Sequence, residues 1–243
     1  MTTSHVFEPM IRKLETWATL EDDDRRALLD LPYTTRETLR GNYVVREGDR
    51  PTHSCVLVSG FAYRQKVVGN GGRQILAIHM PGDLVDLQNS LLHFADHSVQ
   101  ALTDTTVARI PVEEIRKLAF GRPAVGMAMW YDTLVDASIH REWMTNIGRR
   151  DALQRISHLL CEIGVRLERA GLDSRSKFRL PITQEELADC VGLTPVHVNR
   201  TLRVLDREQL VRRPRGGLVV NDWDRLARLG DFDPGYLHLP EDT

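Results

Sequence analysis

The sequence predicts an α+β protein in three parts: an N-terminal antiparallel β-roll or jelly roll, one long helix, and a C-terminal domain of shorter helices. Three observations lead there. Between Thr34 and Pro111, short runs rich in Val, Ile and Tyr are punctuated by Gly48, Gly60, Gly71 and Gly82, which stand 12, 11 and 11 residues apart, the rhythm of antiparallel strands joined by tight turns. From Ala124 to Ile147 there is no proline and apolar residues recur at steps of three and four, a helical period. From Thr183 to Leu205 two short amphipathic segments flank the single glycine Gly192.

In chain order, residues 5–30 read as helical. Leu14, Trp17 and Leu20, then Leu28, Leu29 and Leu31, fall on apolar faces, and Asp22, Asp23 and Asp24 mark a helix start. The expected strands lie in NYVVREG, HSCVLVSGF, AYRQKVV, RQILAIHM, DLVDL and TVARI. Asn70-Gly71-Gly72 is a hairpin turn and Pro81-Gly82-Asp83 another. Pro123 can open the long helix, since a missing amide costs nothing in the first turn. Met127, Trp130, Leu134, Ala137, Arg141 and Met144 form one seam along it, and Val135, Ile139 and Trp143 form a second stripe. A helix apolar on two sides needs two partners: one is the strand domain before it, and the other is its own copy in a second chain. Gly148 and Asp151 are expected to break the helix and start another over 152–170, with Asp151 as its cap and Gly171 at its end.

In TQEELADCVGLTPVHVNRTLRVL, Thr183 and Glu186 form a capping box. Gly192 permits a left-handed turn, Thr194 caps the next helix and Pro195 takes its first position. The result is a helix-turn-helix. Val198, Leu202 and Leu205 must face inward, which leaves Pro195, Val196, Asn199, Arg200 and Arg203 outside, near the end that enters a major groove in such units. Arg200 can donate two hydrogen bonds to a guanine edge, and Asn199 is short enough for a base edge or a phosphate. Thr183, Thr194 and His197 complete the expected contact set in the two helices. VRRPRGGLVV reads as a hairpin with Gly216-Gly217 in its turn, and its Arg213 and Arg215 are candidates for phosphate contact.

The totals agree with this. A hydrophobic share of 42% and a charged share of 27% over 243 residues fit a water-soluble chain of one large or two ordinary domains. Neither a membrane-spanning run nor a leader is read, so the expected location is the cytoplasm. The net charge of −2 hides an asymmetry: residues 149–229 hold 16 lysines and arginines against 11 acidic residues, and the rest hold 16 against 23. The basic stretch is the one that contains the helix-turn-helix. Cys55, Cys161 and Cys190 have no C-x-x-C spacing and sit in apolar surroundings, as buried core thiols do.

ITQEELADCVGLTPVHVNRTLRVL, the segments VVREGD and MPGDLVDL, and the junction GRRDALQRI together resemble the Crp/Fnr superfamily of bacterial transcription regulators, from about residue 10 to 229. The resemblance implies residues 1–122 as a cyclic-nucleotide-binding-like β-roll, 123–148 as a dimerisation helix and 149–243 as a winged helix-turn-helix domain. It implies a homodimer on a two-fold site in double-stranded DNA, with RNA polymerase as a further partner of an activator. In the family the arginine matching Arg200 contacts a guanine in each half-site. The position of Val196 is commonly a glutamate, and Pro195 replaces an arginine of the cyclic AMP receptor, so the target site should differ from that receptor's.

The family's pocket implies effector contacts at Leu87, Gln88, His97, Ser98, His140 and Arg141. A glutamate and an Arg-Ser pair hold cyclic AMP in the receptor, whereas His97-Ser98 stands at the pair's place here. A phosphate buried without an arginine would be costly, so cyclic AMP is not the expected effector. No cysteine precedes Cys55, which argues against the iron–sulfur centre of the oxygen-sensing branch. The expectation is a non-enzymatic regulator with no cofactor, no metal and no catalytic residue, its roll answering an unidentified small molecule. One alternative is a regulator that needs no effector. The other is a cupin-like metal enzyme with an accessory helix-turn-helix, which would need an H-x-H cluster that the sequence lacks.

Overall fold

The computed structural model describes residues 5–212, 214 and 218–240. The described residues divide into two compact units, one of residues 5–66, 77–137 and 240, the other of residues 67–76 and those described between 138 and 239.

The first unit opens with α1 (Glu8–Glu15) and α2 (Asp22–Leu29). Pro9 stands in the first turn of α1 and three aspartates in the first turn of α2, where the free amides favour them. The strands up to residue 111 are β1 (Thr34–Thr38), β2 (Tyr43–Val45), β3 (His53–Ser59), β4 (Ala62–Val67), β5 (Arg73–His79), which begins in the 67–76 segment grouped with the second unit, β6 (Ser98–Ala101) and β7 (Thr105–Pro111). They form two antiparallel sheets in the orders β1-β7-β3 and β2-β6-β4-β5. Leu57, Val85, Val99 and Val107 pack as one core, and truncating such a residue, as in Leu57→Ala, costs about 2–5 kcal/mol. A second core joins Phe7, just before α1, and Met10 and Leu14 of α1 to Ile110, to Ile115 of α3 (Val112–Gly121), and to Val125 and Met129 at the start of α4 (Pro123–Arg149).

The four punctuating glycines all have positive φ. Gly60 is the strictest, because a Cβ there would stand 2.4 Å from the Asp104 carbonyl oxygen. The strand expected at DLVDL does not form. Leu84 makes a single bridge to Val56, and the chain then coils into a 3-10 turn, Leu87–Ser90. Asp86 is the reason: its carboxylate, rather than a backbone carbonyl, takes the Cys55 amide at 2.6 Å and the Ser54 hydroxyl at 3.2 Å. Two strands of the roll, β1 and β6, are not among those expected. β1 is exposed at four of its five residues, so it carries no apolar alternation.

The second unit takes the C-terminal half of α4, then α5 (Ala152–Arg169), β8 (Lys177–Phe178), α6 (Gln184–Val191), α7 (Pro195–Arg207), β9 (Val211–Arg212), β10 (Leu218–Val220) and α8 (Trp223–Leu229). Asp151 caps α5 as expected, accepting from the Leu153 and Gln154 amides at 2.9 Å each while the Gln154 side chain accepts from the Asp151 amide at 3.0 Å. Gly148 does not end α4, which continues to Arg149. An exposed glycine costs a helix only about 1 kcal/mol relative to alanine. Neighbouring Asn146, buried and donating to the Arg155 carbonyl at 3.2 Å, holds the turn in place.

Beyond residue 229 the chain folds back as a strap over α5. His158 Nδ1 meets the Gly230 carbonyl at 3.0 Å, and the Tyr236 hydroxyl donates to Glu162 at 2.9 Å. Glu162 is fully buried and also accepts from the Trp143 indole at 2.9 Å, so one carboxylate joins α4, α5 and the strap. All three cysteines are buried and free, and burial pushes the Cys161 thiol up to about 12.

Candidate nucleic-acid interface

The helix-turn-helix forms at the predicted residues. The Thr183 hydroxyl accepts from the Glu186 amide at 3.1 Å while Glu186 accepts from the Thr183 amide at 2.7 Å, closing the capping box. Gly192 is left-handed at φ 64 and ψ 41, a conformation that costs any residue with a Cβ more than it costs glycine. The Thr194 hydroxyl accepts from the His197 amide at 3.3 Å, and Pro195 follows in the first turn. Each threonine cap uses a lone pair and leaves its hydroxyl proton available.

α7 is amphipathic as read. Val198, Leu202 and Leu205 are buried with Thr201, whereas Pro195, Val196, His197, Arg200 and Arg203 are exposed. Val196 is 78% exposed, a large apolar side chain held in water at the helix's N-terminal end. Pro195, Val196, Asn199, Arg200, Arg203 and Arg207 line an open groove of about 820 Å³ together with Gln184 and Asp206. Gln184 was not among the predicted residues. Its side-chain oxygen accepts a hydrogen bond from Asn199 Nδ2 at 3.0 Å. The sequence signal was slight, a polar residue directly after a cap, where exposure is the default. Arg213, Arg215 and the Gly216-Gly217 turn lie outside the described residues. The base of their hairpin is described: β10 pairs with β9 through Val220 with Val211 and Val219 with Arg212, and with β8 on its other side.

On α4, Val125, Ala128, Val135, Ile139 and Trp143 are buried. Met127, Trp130, Leu134 and Met144 are 53%, 61%, 52% and 69% exposed, and Arg141 is exposed between them, with Ala137 half-buried. A contiguous apolar stripe in water is a feature that demands an explanation, unlike scattered single residues.

A family model described as a Crp-like helix-turn-helix domain matches residues 154–229, and one described as a cyclic nucleotide-binding domain matches residues 35–121. The transcriptional activator protein FnrL of Cereibacter sphaeroides is 30% identical over 224 residues, which cover 89% of this chain and 88% of that one. The chain belongs to the Crp/Fnr family. The nitrogen fixation regulation protein FixK of Azorhizobium caulinodans is 26% identical, covering 72% of this chain and 70% of that one. The solved structure of FixK2 from Bradyrhizobium japonicum, 24% identical, superposes with a TM-score of 0.75 over 82% of this chain and 98% of that one, which places the fold in the same class. As a Crp/Fnr protein the chain is a DNA-binding transcription regulator. Among the described residues no helix is long and apolar enough to cross a membrane.

In this Crp/Fnr roll three of the residues expected to meet an effector already have polar partners. Gln88 Nε2 and His97 Nε2 stand 3.2 Å apart, His97 Nδ1 lies 2.7 Å from Asp96, and Ser98 accepts from the Glu47 amide at 3.0 Å. Leu87 packs against the α1 core. His140 is half-buried on α4 within the second unit, and Arg141 belongs to the exposed stripe. Burial, then the nearby Arg64 guanidinium, drives the His97 imidazole down to about 4. Arg64 was not foreseen. Its side chain is buried on β4, donating to Asp136 at 2.7 Å and to the Val85 carbonyl at 3.3 Å. Lys13 bridges Asp83 at 2.7 Å and Asp132 at 2.9 Å; burial alone would lower its pKa, and the two carboxylates reverse that and raise it. His93 and His97 have an H-x-x-x-H spacing, but their segment is not helical and His93 is exposed, so they do not form a ligand pair. Among the described residues no group of three or more histidines, cysteines or acids is placed to hold a metal.

Proposed function

We propose that the protein acts as a cytoplasmic, non-enzymatic homodimer that binds a two-fold DNA site, with residues 149–243 reading the DNA, 123–148 pairing the chains and 1–122 serving as the regulatory roll. The observation that supports it most is the division of α7 into a buried face and an exposed one that carries Val196, Asn199, Arg200 and Arg203. In this reading Arg200 makes two hydrogen bonds to a guanine, and Thr183, Thr194, Arg203, Arg213 and Arg215 contact phosphates. His197 and Pro195 border the groove. Met127, Trp130, Leu134, Ala137, Arg141 and Met144 of one chain meet the same residues of the other, as a two-fold interface requires. RNA polymerase is the further partner if the protein activates, as its relatives named activators do.

The test is selection of bound sequences from random duplex DNA by the purified protein with nothing added, at two salt concentrations. A two-fold motif supports the reading. Arg200→Ala should then lose about 1–3 kcal/mol of specific binding and relax one base position per half-site. Equal loss on every sequence would make Arg200 a phosphate contact, and the absence of any motif with or without a metabolite pool would overturn the reading.

A second reading concerns control. A regulator without an effector is the alternative: an effector would have to compete with the pairs of Arg64 with Asp136 and Gln88 with His97, although buried Gln65 Oε1, His79 Nε2 and the Asn89 side-chain amide have no hydrogen-bond partner among the described residues. Unchanged DNA affinity across a broad metabolite panel is the expected result, and a metabolite that shifts affinity restores the sensing roll.

A further inference from the structure

Gln184 has no part in reading a guanine through Arg200, yet among the described residues it is the one residue outside α7 that lines the groove. It opens α6 directly after the Thr183 cap, so the capping box fixes its backbone. Its side-chain oxygen accepts from Asn199 Nδ2 at 3.0 Å, a bond from one helix of the motif to the other, and both amides are half-buried at the groove's edge.

We propose that Gln184 and Asn199 act as one unit that reads adenine, with Asn199 as the reader and Gln184 as the residue that positions it. The inference rests on the DNA reading above and names a second base of the site. An asparagine amide has two N–H donors and one carbonyl acceptor. When Gln184 takes the N–H that points away from the carbonyl, the remaining N–H and the carbonyl oxygen stand side by side in one plane. That pattern complements the major-groove edge of adenine, whose N7 accepts and whose N6 amino group donates. Guanine shows two acceptors there, and one of them would face the asparagine oxygen. A free asparagine could turn and offer its amino group to a guanine or a thymine oxygen through a single bond. Held by Gln184, it can keep the bond across the motif on turning only if the Gln184 amide turns with it, a coupled flip that a free asparagine does not need. Gln184 thus supplies discrimination rather than affinity.

The experiment is the same selection run on the wild-type chain, Asn199→Ala, Gln184→Ala, Gln184→Glu and Arg200→Ala. The wild type should show an adenine whose preference falls about 5- to 150-fold in Asn199→Ala. Gln184→Ala should keep the guanine position and lose preference at that same adenine, with guanine and thymine newly tolerated. Gln184→Glu keeps an acceptor for Asn199 Nδ2, so it should retain the adenine preference while binding all sequences more weakly, through repulsion from the phosphates. Retention of the guanine position shows that the Gln184→Ala domain is folded. The proposal is overturned if Gln184→Ala selects the wild-type motif, if it weakens all sequences equally, or if the position lost in Asn199→Ala is not adenine. A wild-type motif that Arg200→Ala leaves intact faults the Arg200 assignment alone. A wild type that selects no motif under any condition removes the DNA reading and this inference with it.

Discussion

His97 is held in a setting that opposes its charge twice over, through burial and through the Arg64 guanidinium, with Asp96 only partly compensating and His79 adding to the opposition. Unfolded, such a ring gains a proton near 6.5; folded, it does so only at about 4. Between those values the unfolded chain binds more protons, so this contribution to stability is full above 6.5 and is lost as pH falls towards 4. Asp86 works in the other direction. Burial, against hydrogen bonds from Cys55 and Ser54, pushes its carboxyl up to about 6, so the folded chain holds a proton that the unfolded chain releases. Its contribution therefore grows as pH drops through 6. A melting temperature measured between pH 7 and 4.5 reports the sum of these with His53, His79 and His158, whose pKa values burial also lowers, and His97→Gln should remove one destabilising share and leave a flatter acid limb. An acid limb identical to that of the wild type would show that His97 does not carry it. Neither partner of this polar cluster was legible locally. AYRQKVV puts Arg64 on the same strand face as Lys66, and nothing in the strand says that Lys66 will reach the nearby Glu47 whereas Arg64 will meet Asp136, 72 residues on. The exposed residues of α7 were legible, because one helix holds both the buried period and the groove-facing residues that it displaces.

At the scale of the elements, boundaries were read where chemistry marks them. Asp151, Thr183 and Thr194 fixed three helix starts, and Gly192 fixed a turn, since each satisfies a free amide or a backbone angle that few residues satisfy. Gly148 marked the break to within one residue, since a glycine tolerates a helix as well as ending one and α4 runs on to Arg149 before Asp151 restarts the next helix. The strap after α8 had no period to read, for its partners are His158 and Glu162 in the middle of another helix. Its share of the stability can be measured. Tyr236→Phe removes the hydroxyl that donates to Glu162 and meets His158 at 3.1 Å, leaving a fully buried carboxylate one donor short. The expected cost is about 1–3 kcal/mol, seen as a lower urea midpoint at an unchanged slope. A midpoint equal to that of the wild type would mean that the strap does not hold the fold. Burial and then Glu162 also raise the pKa of the Tyr236 hydroxyl, which keeps it a donor at every pH where the protein would be used.

For the whole molecule, the largest unanswered surface in the sequence was the seam of Met127, Trp130, Leu134 and Met144 along the long helix, and it remains the largest exposed apolar feature on α4. If two chains close over it, Leu134→Glu combined with Met144→Glu should give monomers in sedimentation and lose the two-fold motif, while each half keeps its own melting transition. A variant that sediments as a dimer would refute the seam. The stripe has a consequence for dosage. Where chains are scarce relative to the dissociation constant of the pair, the concentration of pairs follows the square of the amount of chain, so doubling synthesis raises the DNA-competent form about fourfold. A regulator whose roll needs no metabolite would then still respond steeply to one signal, the rate at which its own gene is expressed.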